Sequence, residues 1–247
     1  MTPETLIIDR PAGGVALLTI NRPDKLNAMN HAFFADLTET LTALDDDPEV
    51  RACVITGAGR AFSAGGDIAD FERLTDTAAY RRQVSMALTA FEGVQRCTTV
   101  VIAAVNGLAY GGGTELTLAC DLALAAPEAR FAFREVTVGL MPGYGLVRGP
   151  QVIGTAWTRW LALTGEDLPA EDAVRIGLVQ RVTPAAELVA EAVAVAARIA
   201  AHPRTAVEVG KRFLNRGDTG IAEAIEATAL LFTTDEHKQR IDRFLSR

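Results

Sequence analysis

The chain has 247 residues, 49% of them hydrophobic and 22% charged, which is enough for one large α/β unit or for a domain with an appendage. Its formal net charge is −7 and no basic cluster interrupts the sequence, so we expect neither nucleic acid nor a membrane surface as a partner. Its 3 cysteines form no CxxC pair, the N-terminus has no apolar signal core, and no run reaches the roughly 18 apolar residues of a membrane span; we therefore expect free buried thiols in a soluble, cytoplasmic protein.

The first hundred residues carry clear local signals. Two apolar runs within residues 6–20 predict a β-hairpin, and residues 21–28 read as a loop interrupted by Pro23. Asn30 is placed to cap a helix with an apolar face of Phe33, Phe34, Leu37, Leu41 and Leu44. Beyond it we predict a short buried strand over residues 52–56, a loop over 57–67 and a helix over 80–96.

Residues 100–115 combine a buried strand with a glycine-rich helix start. The apolar run 100–105 is typical of a strand covered on both faces, and it is followed by a turn, three glycines at 111–113, and a helical pattern over 114–120 that includes Glu115. A helix N-terminus offers free backbone N–H groups and partial positive charge, and glycine allows close approach. The stretch is therefore either an anion-receiving site or a tight turn whose glycines serve packing alone.

The second half of the chain becomes increasingly helical. We predict strands over residues 121–125 and 130–133, then a loop over 139–149 that contains Pro142. From residue 155 onwards the pattern is helical except over 178–182. The alternation of strands and helices in the first half predicts βαβ units on a parallel sheet, hence an α/β fold.

Several common active-site motifs are absent from the sequence. The segment after residue 57 lacks the third glycine of a dinucleotide fingerprint, and there is no GxxxxGK[ST] phosphate loop. Ala61 stands where a nucleophile elbow around Ser63 would need glycine. The histidines, which show neither HExxH spacing nor a cysteine pair nearby, are His31, His202 and His237. We therefore expect no metal site and no Ser/His triad.

Four segments together resemble one known family. They are NRPDKLNA at 21–28, AFSAGGDI at 61–68, NGLAYGGGTE at 106–115 and EVTVGLMPG at 135–143. In this order they resemble the crotonase family, also called the enoyl-CoA hydratase/isomerase family, and the active-site pattern is most similar to that of the hydratases. The resemblance implies an α/β fold of the ClpP/crotonase type, with a ββα spiral core over 1–183 that holds an acyl-CoA site and a C-terminal helical oligomerisation region over 184–247.

The resemblance also implies a catalytic apparatus. In the family, two backbone N–H groups stabilise an enolate-like oxyanion, and by motif position these belong to Gly66 and Gly112. Glu115 and Glu135 match the two glutamates with which the hydratases hold water and transfer protons. The alternative for Gly66 is an ordinary turn, and the alternative for each glutamate is a helix-end or surface carboxylate.

Substrate-binding positions follow from the same matching. The loops that line the adenine side of the coenzyme A site in the family contain Lys25, Leu26, Ala28, Ala64, Asp67 and Ile68. Gly143 is expected to orient the surroundings of the attacking water through its N–H. Lys25 could meet a phosphate, or it could be a solvated loop lysine.

The implied function is that of an enoyl-CoA hydratase, with coenzyme A as part of the substrate, no metal or redox cofactor, and a homotrimer or homohexamer as the assembly. Other possibilities are another reaction of the family, such as isomerisation or decarboxylation, and a non-catalytic acyl-CoA-binding protein. The segment 142–148, PGYGLVR, departs from the PGAGGTQR common in hydratases, which leaves the shape of the acyl pocket open. The altered tail, HKQR at 237–240 and FLSR at the end, leaves its contribution to coenzyme A binding open as well.

Overall fold

The computed structural model describes residues 3–71, 76–216 and 221–246, and its centre is a six-stranded sheet. The predicted hairpin is present as antiparallel β1 and β2, and the further strands pair parallel to β2 and to one another. In spatial order the sheet consists of β1 (Leu6–Ala12), β2 (Val15–Ile20), β3 (Ala52–Gly57), β5 (Val100–Val105), β7 (Leu122–Ala125) and β10 (Arg181–Val182). The prediction of a largely parallel sheet is confirmed.

A second, smaller sheet holds the strands that lead into the turn over residues 63–67 and into the glycines at 111–113. Its strands in spatial order are β4 (Ala61–Ser63), β6 (Leu108–Tyr110), β8 (Arg130–Ala132) and β9 (Leu168–Pro169), the last antiparallel. Strands β3, β5 and β7 of the large sheet are each followed directly by a strand of the small one, β4, β6 and β8, which produces a ββα spiral. The prediction of a continuous loop over 57–67 is wrong, because it missed the three-residue strand β4.

Helices connect and cover the two sheets. Asn30 caps the first of them as predicted, accepting a hydrogen bond from the N–H of Phe33 at 2.9 Å. The helices are α1 (His31–Asp46), α2 (Ile68–Phe71), α3 (Thr77–Arg96), α4 (Gly112–Ala119), α5 (Gly143–Val152), α6 (Gly154–Thr164), α7 (Ala170–Arg175), α8 (Leu188–Ala200), α9 (Arg204–Arg216), α10 (Ile221–Phe232) and α11 (Asp235–Leu245). Two 3-10 turns lie at Pro23–Lys25 and Arg134–Val138.

The predicted loop over 139–149 is in fact largely helical, since α5 begins at Gly143 directly after Pro142. Its glycines are there for packing. A Cβ at Gly145 would lie 2.5 Å from the ring of Phe133, and one at Gly149 would lie 2.8 Å from the hydroxyl of Thr158. Composition alone suggested a loop, whereas close helix packing explains the same residues.

The large sheet separates two apolar clusters. On β5, Val101, Ala103 and Val105 face the cluster shared with α1, α3 and α4, while the alternate residues of the strand face a cluster that includes α8. Helix α8 contributes Leu188, Ala192 and Ala196 to that second cluster. Cys53 and Cys120 are buried free thiols, as predicted, whereas the free thiol of Cys97 is only partly buried.

The last helices differ from those of the core. None of the residues of α10 is buried. Within the described part of the chain, no helix is both long enough and apolar enough to cross a membrane. The proposed division after residue 183 stays a prediction.

Candidate active site

Two loops are joined edge to edge beneath the candidate site. The N–H of Met29 donates to the carbonyl of Gly65 at 2.7 Å, and the N–H of Asp67 donates back to the carbonyl of Met29 at 3.0 Å. Fully buried Asn27 reinforces the contact, because its Nδ2 donates to the carbonyl of Ala61 at 2.7 Å. These bonds fix the turn over residues 63–67 in space.

That turn lies directly against the start of α4. Gly65 has a φ of +93°, a conformation that strongly favours glycine, and a Cβ there would lie 2.7 Å from the carbonyl oxygen of Tyr110 and 3.3 Å from the backbone nitrogen of Gly112. Within the described residues, the backbone N–H groups of Gly66 and Gly112 donate to no protein acceptor. The predicted pair of donors is therefore adjacent and unengaged.

The glycines at 111–113 serve both of the purposes considered for them. A Cβ at Gly113 would lie 2.5 Å from the carbonyl oxygen of Ser63, so this glycine is required for close packing of α4 on β4. Gly111 has a φ of +50°, and a Cβ there would lie 2.8 Å from Oε1 of Glu135. Gly112 faces the cavity described below.

Glu115 lies one turn inside α4 and is only 7% exposed. Its Oε1 accepts a hydrogen bond from the N–H of Gly145 at 2.9 Å, and the N–H of Tyr144 also donates to the carboxylate, so the start of α5 points at it. Burial raises the pKa of Glu115, and these two donors oppose the rise because they favour the charged form. Glu115 is thus a desolvated carboxylate held in a fixed orientation.

Glu135 approaches the same space from the 3-10 turn Arg134–Val138. Its Oε2 is buried and has no hydrogen-bond partner among the described residues. Burial, followed by the nearby charge of Glu115, raises the pKa of Glu135 to about 7. The structure therefore places beside Glu115 a second carboxyl group that is easily protonated near neutral pH.

Arg134 anchors the segment that carries Glu135. Its guanidinium donates to the carbonyl of Gly165 and to the carboxylate of Asp167, each at 2.7 Å, and lies 5.0 Å from the ring centre of Tyr110. The sequence analysis did not identify this anchor, because its partners are brought together only by the fold.

A cavity of about 250 Å³ unites these groups. Of the predicted site residues, those lining it are Gly66, Gly112, Glu115, Glu135 and Gly143. Its remaining wall is mainly apolar and comes from α1, α3 and the segment before α5, including Phe34, Val84, Ala87, Leu88, Phe91, Leu140 and Met141. A largely apolar cavity with a few convergent polar groups is typical of a small-molecule site.

The other predicted binding residues lie on the two joined loops, outside the lining of this cavity. They are Lys25, Leu26, Ala28, Ala64, Asp67 and Ile68. Lys25 is exposed, Ile68 is 65% exposed, and Asp67 forms an ion pair with Arg22 at 2.9 Å. Their role in binding stays a prediction.

Sequence reasoning missed the contribution of α3, whose Tyr80 and Gln83 also line the cavity. A signal was available, since residues 80, 83, 84, 87, 88 and 91 share one helical face and Gln83 interrupts the apolar part of that stripe. Tyr144, at one of the departures noted above, donates its hydroxyl to Gln95 at 2.7 Å and packs against Phe91, with ring centres 5.7 Å apart. It therefore supports the cavity wall from behind.

Comparison with known proteins gives concordant matches across the chain. A family model described as enoyl-CoA hydratase/isomerase matches residues 10–245. The chain is 34% identical over 248 residues to the short-chain-enoyl-CoA hydratase of Clostridium acetobutylicum, covering 98% of this chain and 95% of that protein. It is 37% identical over 254 residues to the crotonyl-CoA hydratase of Syntrophomonas wolfei, covering 100% and 97%. The crystal structure of an enoyl-CoA hydratase from Bacillus anthracis superposes with a TM-score of 0.93 at 30% identity, covering 98% of this chain and 96% of that one.

Proposed function

The chain belongs to the enoyl-CoA hydratase/isomerase family, and from that premise we propose that it adds water to the double bond of a trans-2-enoyl-CoA thioester. The observation that carries the proposal is the meeting of two glutamates, Glu115 buried and Glu135 partly buried, with two backbone N–H groups that are unengaged among the described residues, around one cavity. The relatives named as hydratases support the same reaction class.

The N–H groups of Gly66 and Gly112 receive the thioester carbonyl oxygen. As water adds to C3, electron density moves through the double bond onto this oxygen, and donors already in place stabilise the developing charge without reorganisation. Gly112 is the first residue of α4, so the positive end of the helix dipole acts at the same point. We propose these two groups as the oxyanion hole.

The environments of the two glutamates suggest different roles. Glu115 accepts two backbone hydrogen bonds that favour its charged form, and its raised pKa makes it a stronger base than an exposed glutamate. Glu135, with a pKa raised to about 7 and an unpartnered Oε2, readily carries a proton. We propose Glu115 as the base and Glu135 as the acid.

The proposed step balances as follows. Glu115 takes one proton from water while the water oxygen bonds to C3, and the electron pair of the double bond passes to the thioester as an enolate. Glu135 then gives its proton to C2, and the enolate collapses to the 3-hydroxyacyl thioester. We propose that both carboxyl groups act on the same face of the double bond, so that the addition is syn. We propose that the coenzyme A portion lies along the loops that contain Lys25 and Ala64.

The experiment is a spectrophotometric assay of crotonyl-CoA hydration with Glu115→Gln and Glu135→Gln. Each change keeps the side-chain shape and removes proton transfer, so kcat should fall by roughly a hundred- to ten-thousand-fold while acyl-CoA binding changes little. Glu128→Gln, at an exposed glutamate, is the matched control and should retain wild-type rates.

Near wild-type kcat in either site variant would remove that glutamate from the mechanism. Product analysis distinguishes the other reactions, because hydration yields 3-hydroxybutyryl-CoA whereas isomerisation and decarboxylation do not. A chain that binds acyl-CoA but converts no thioester would instead be a binding protein.

A further inference from the structure

The cavity wall formed by α3 contains two polar side chains, Tyr80 and Gln83, that the reaction described above does not use. Gln83 lines the cavity and is only 9% exposed. Its amide nitrogen Nε2 is buried and has no hydrogen-bond partner among the residues that the structure describes. Apolar side chains of the same helix line the cavity beside it, notably Val84 and Ala87.

A buried amide donor without a partner destabilises a protein, because the hydrogen bond it made with water in the unfolded chain is not replaced. An apolar residue of similar size would fill the same position without this loss. The terminal torsion of glutamine is broad and roughly two-fold, so a flip of the amide can present either its nitrogen or its oxygen to a molecule in the cavity. Gln83 therefore has the properties of a ligand-binding group.

The charge of the cavity limits what that ligand group can be. Glu115 and Glu135 line the same space, and the described lining residues include no Lys, Arg or His. A carboxylate on the acyl chain would meet two acidic groups and no cation among the described lining residues, so an anionic partner for Gln83 is disfavoured. A neutral hydroxyl or keto oxygen can accept from Nε2 without this repulsion, and a hydroxyl can also donate to Oε1.

We propose that Gln83 is a specificity-determining residue that binds a neutral oxygen on the acyl chain, so that the preferred substrates are 2-enoyl-CoA thioesters with a hydroxyl or keto group beyond the double bond. The proposal rests on the function proposed above. A site that satisfies a substrate hydroxyl rejects the hydrocarbon analogue strongly, because the analogue leaves the buried amide unpaired. Discrimination therefore comes from the hydrocarbon being disfavoured as well as from the oxygenated chain being bound.

The test compares trans-2-octenoyl-CoA with its three derivatives that carry a hydroxyl at C5, C6 or C7. The wild type should show a kcat/KM at least about tenfold higher for one of the hydroxylated thioesters than for the plain one. In Gln83→Met, an apolar side chain of similar length, this ratio should fall by about tenfold or more, with the hydrocarbon chain gaining most. Ser85→Met, at an exposed position of the same helix outside the cavity, is the matched control and should keep the wild-type ratio.

Binding of the saturated octanoyl-CoA and hydroxyoctanoyl-CoA analogues, measured by calorimetry, separates the two proposals. Preferential binding of a hydroxylated analogue that disappears in Gln83→Met supports the specificity role even if no thioester is hydrated, in which case only the hydratase proposal fails. Efficient hydration of plain octenoyl-CoA, with no preference for any hydroxylated chain in the wild type, would overturn the role of Gln83 alone. An unchanged ratio in Gln83→Met would overturn it as well.

Discussion

Helices α4 and α10 are both apolar, yet their surroundings in the folded chain are opposite. All eight residues of α4 are buried, including Thr114 and Glu115, whereas no residue of the twelve-residue α10 is buried. Helix α4 is enclosed by the small sheet, α3 and α5, while α10 packs against α9 and α11. Apolar composition therefore does not determine burial, which depends on what the rest of the fold brings to each face.

The contrast between α4 and α10 distinguishes two kinds of group that the folded chain leaves without a partner, polar groups in a cavity and apolar side chains on the surface. Around α4, the N–H of Gly112 and the Oε2 of Glu135 have no partner within the described parts of the chain, as expected where a substrate completes the bonding. On α10 the chain leaves large apolar side chains in water, those of Ile221, Ile225 and Phe232 being 81%, 60% and 67% exposed. A patch of this kind marks an interaction surface, and we propose that further copies of the chain cover it in a threefold assembly.

The largest expected effect is on stability, and it tests whether α9, which precedes the exposed α10, is anchored to the core. Lys211 of α9 is 6% exposed and forms an ion pair with Asp121, just beyond α4, at 2.7 Å. Burial lowers the pKa of Lys211, but the Asp121 carboxylate and Cys97 together more than offset this, and the pKa is raised. Lys211→Met leaves the carboxylate of Asp121, whose side chain is 16% exposed, without its cation, although the N–H of Val101 still donates to it at 2.8 Å. We therefore expect a loss of about 3–5 kcal/mol in the free energy of unfolding, measured by urea denaturation at fixed protein concentration.

The neighbouring exposed Arg212 supplies the control for that experiment, since Arg212→Met should leave stability within about 0.5 kcal/mol of the wild type. Replacing both members of the pair, as Lys211→Met with Asp121→Leu, should recover much of the loss. A loss below about 1 kcal/mol in Lys211→Met would show that α9 is not anchored by this pair.

The next effect concerns the unengaged donor at the start of α4. Proline is tolerated at the first position of a helix, and Gly112→Pro removes an N–H that donates to no acceptor within the described protein. We expect a folded protein, by circular dichroism, with kcat lowered by roughly a hundred- to a thousand-fold. Alanine, like proline, adds a Cβ at this position, 3.3 Å from Sδ of Met29. Because Gly112→Ala keeps the N–H, it should lose far less activity than Gly112→Pro. Equal losses in the two variants would attribute the effect to space rather than to the oxyanion hole.

A smaller effect is expected for a substitution on the exposed helix α10, where the property measured is the oligomeric state. Ile225→Asp places a charge in the apolar face of α10, and truncation of a central interface residue weakens association by about 2 kcal/mol or more. Sedimentation equilibrium should show a trimer or hexamer for the wild type and a shift towards monomer for the variant. Glu226→Gln, at the next and exposed position, should not alter the assembly. A wild-type monomer at micromolar concentration would refute the threefold assembly itself.

The same comparison explains which parts of the fold the sequence could predict. The hairpin, α1 with its Asn30 cap, and the buried strand β5 follow from signals within ten or so consecutive residues. Strands β4 and β6 are three residues long and β9 is two, too short for any periodic pattern. Helix α5 was hidden because Pro142 and its glycines read as a loop, whereas Gly145 is needed for contact with Phe133.

The residues of the candidate site also fall into those that the sequence could predict and those that it could not. Gly66, Gly112, Glu115 and Glu135 could be proposed from their motifs, and the structure brings all four to one cavity. The wall contributed by α3 and the Arg134 anchor depend on contacts between distant segments, such as the bond from Arg134 to Asp167, which local spacing cannot reveal. The unpartnered nitrogen of Gln83 emerges only when the helix is placed against its neighbours.

The smallest expected effect contrasts a carboxyl group in the cavity with one on the exposed C-terminal helices. The pKa of Glu135 is raised from 4.5 to about 7, so the folded protein holds a proton that the unfolded chain releases between these values. Glu135 is therefore neutral to stability below about pH 4.5, and stability is lost as the pH rises towards 7. Glu135→Gln never ionises, so its Tm should match the wild type near pH 4.5 and exceed it at pH 8 by several degrees, corresponding to about 2 kcal/mol after allowance for the partly exposed side chain. Glu236→Gln on α11, where the side chain is exposed, should show no such divergence with pH. If Glu135→Gln and the wild type keep the same Tm difference at both pH values, the carboxyl group of Glu135 is not held in its protonated form by the cavity, and its assignment as the acid loses its physical basis.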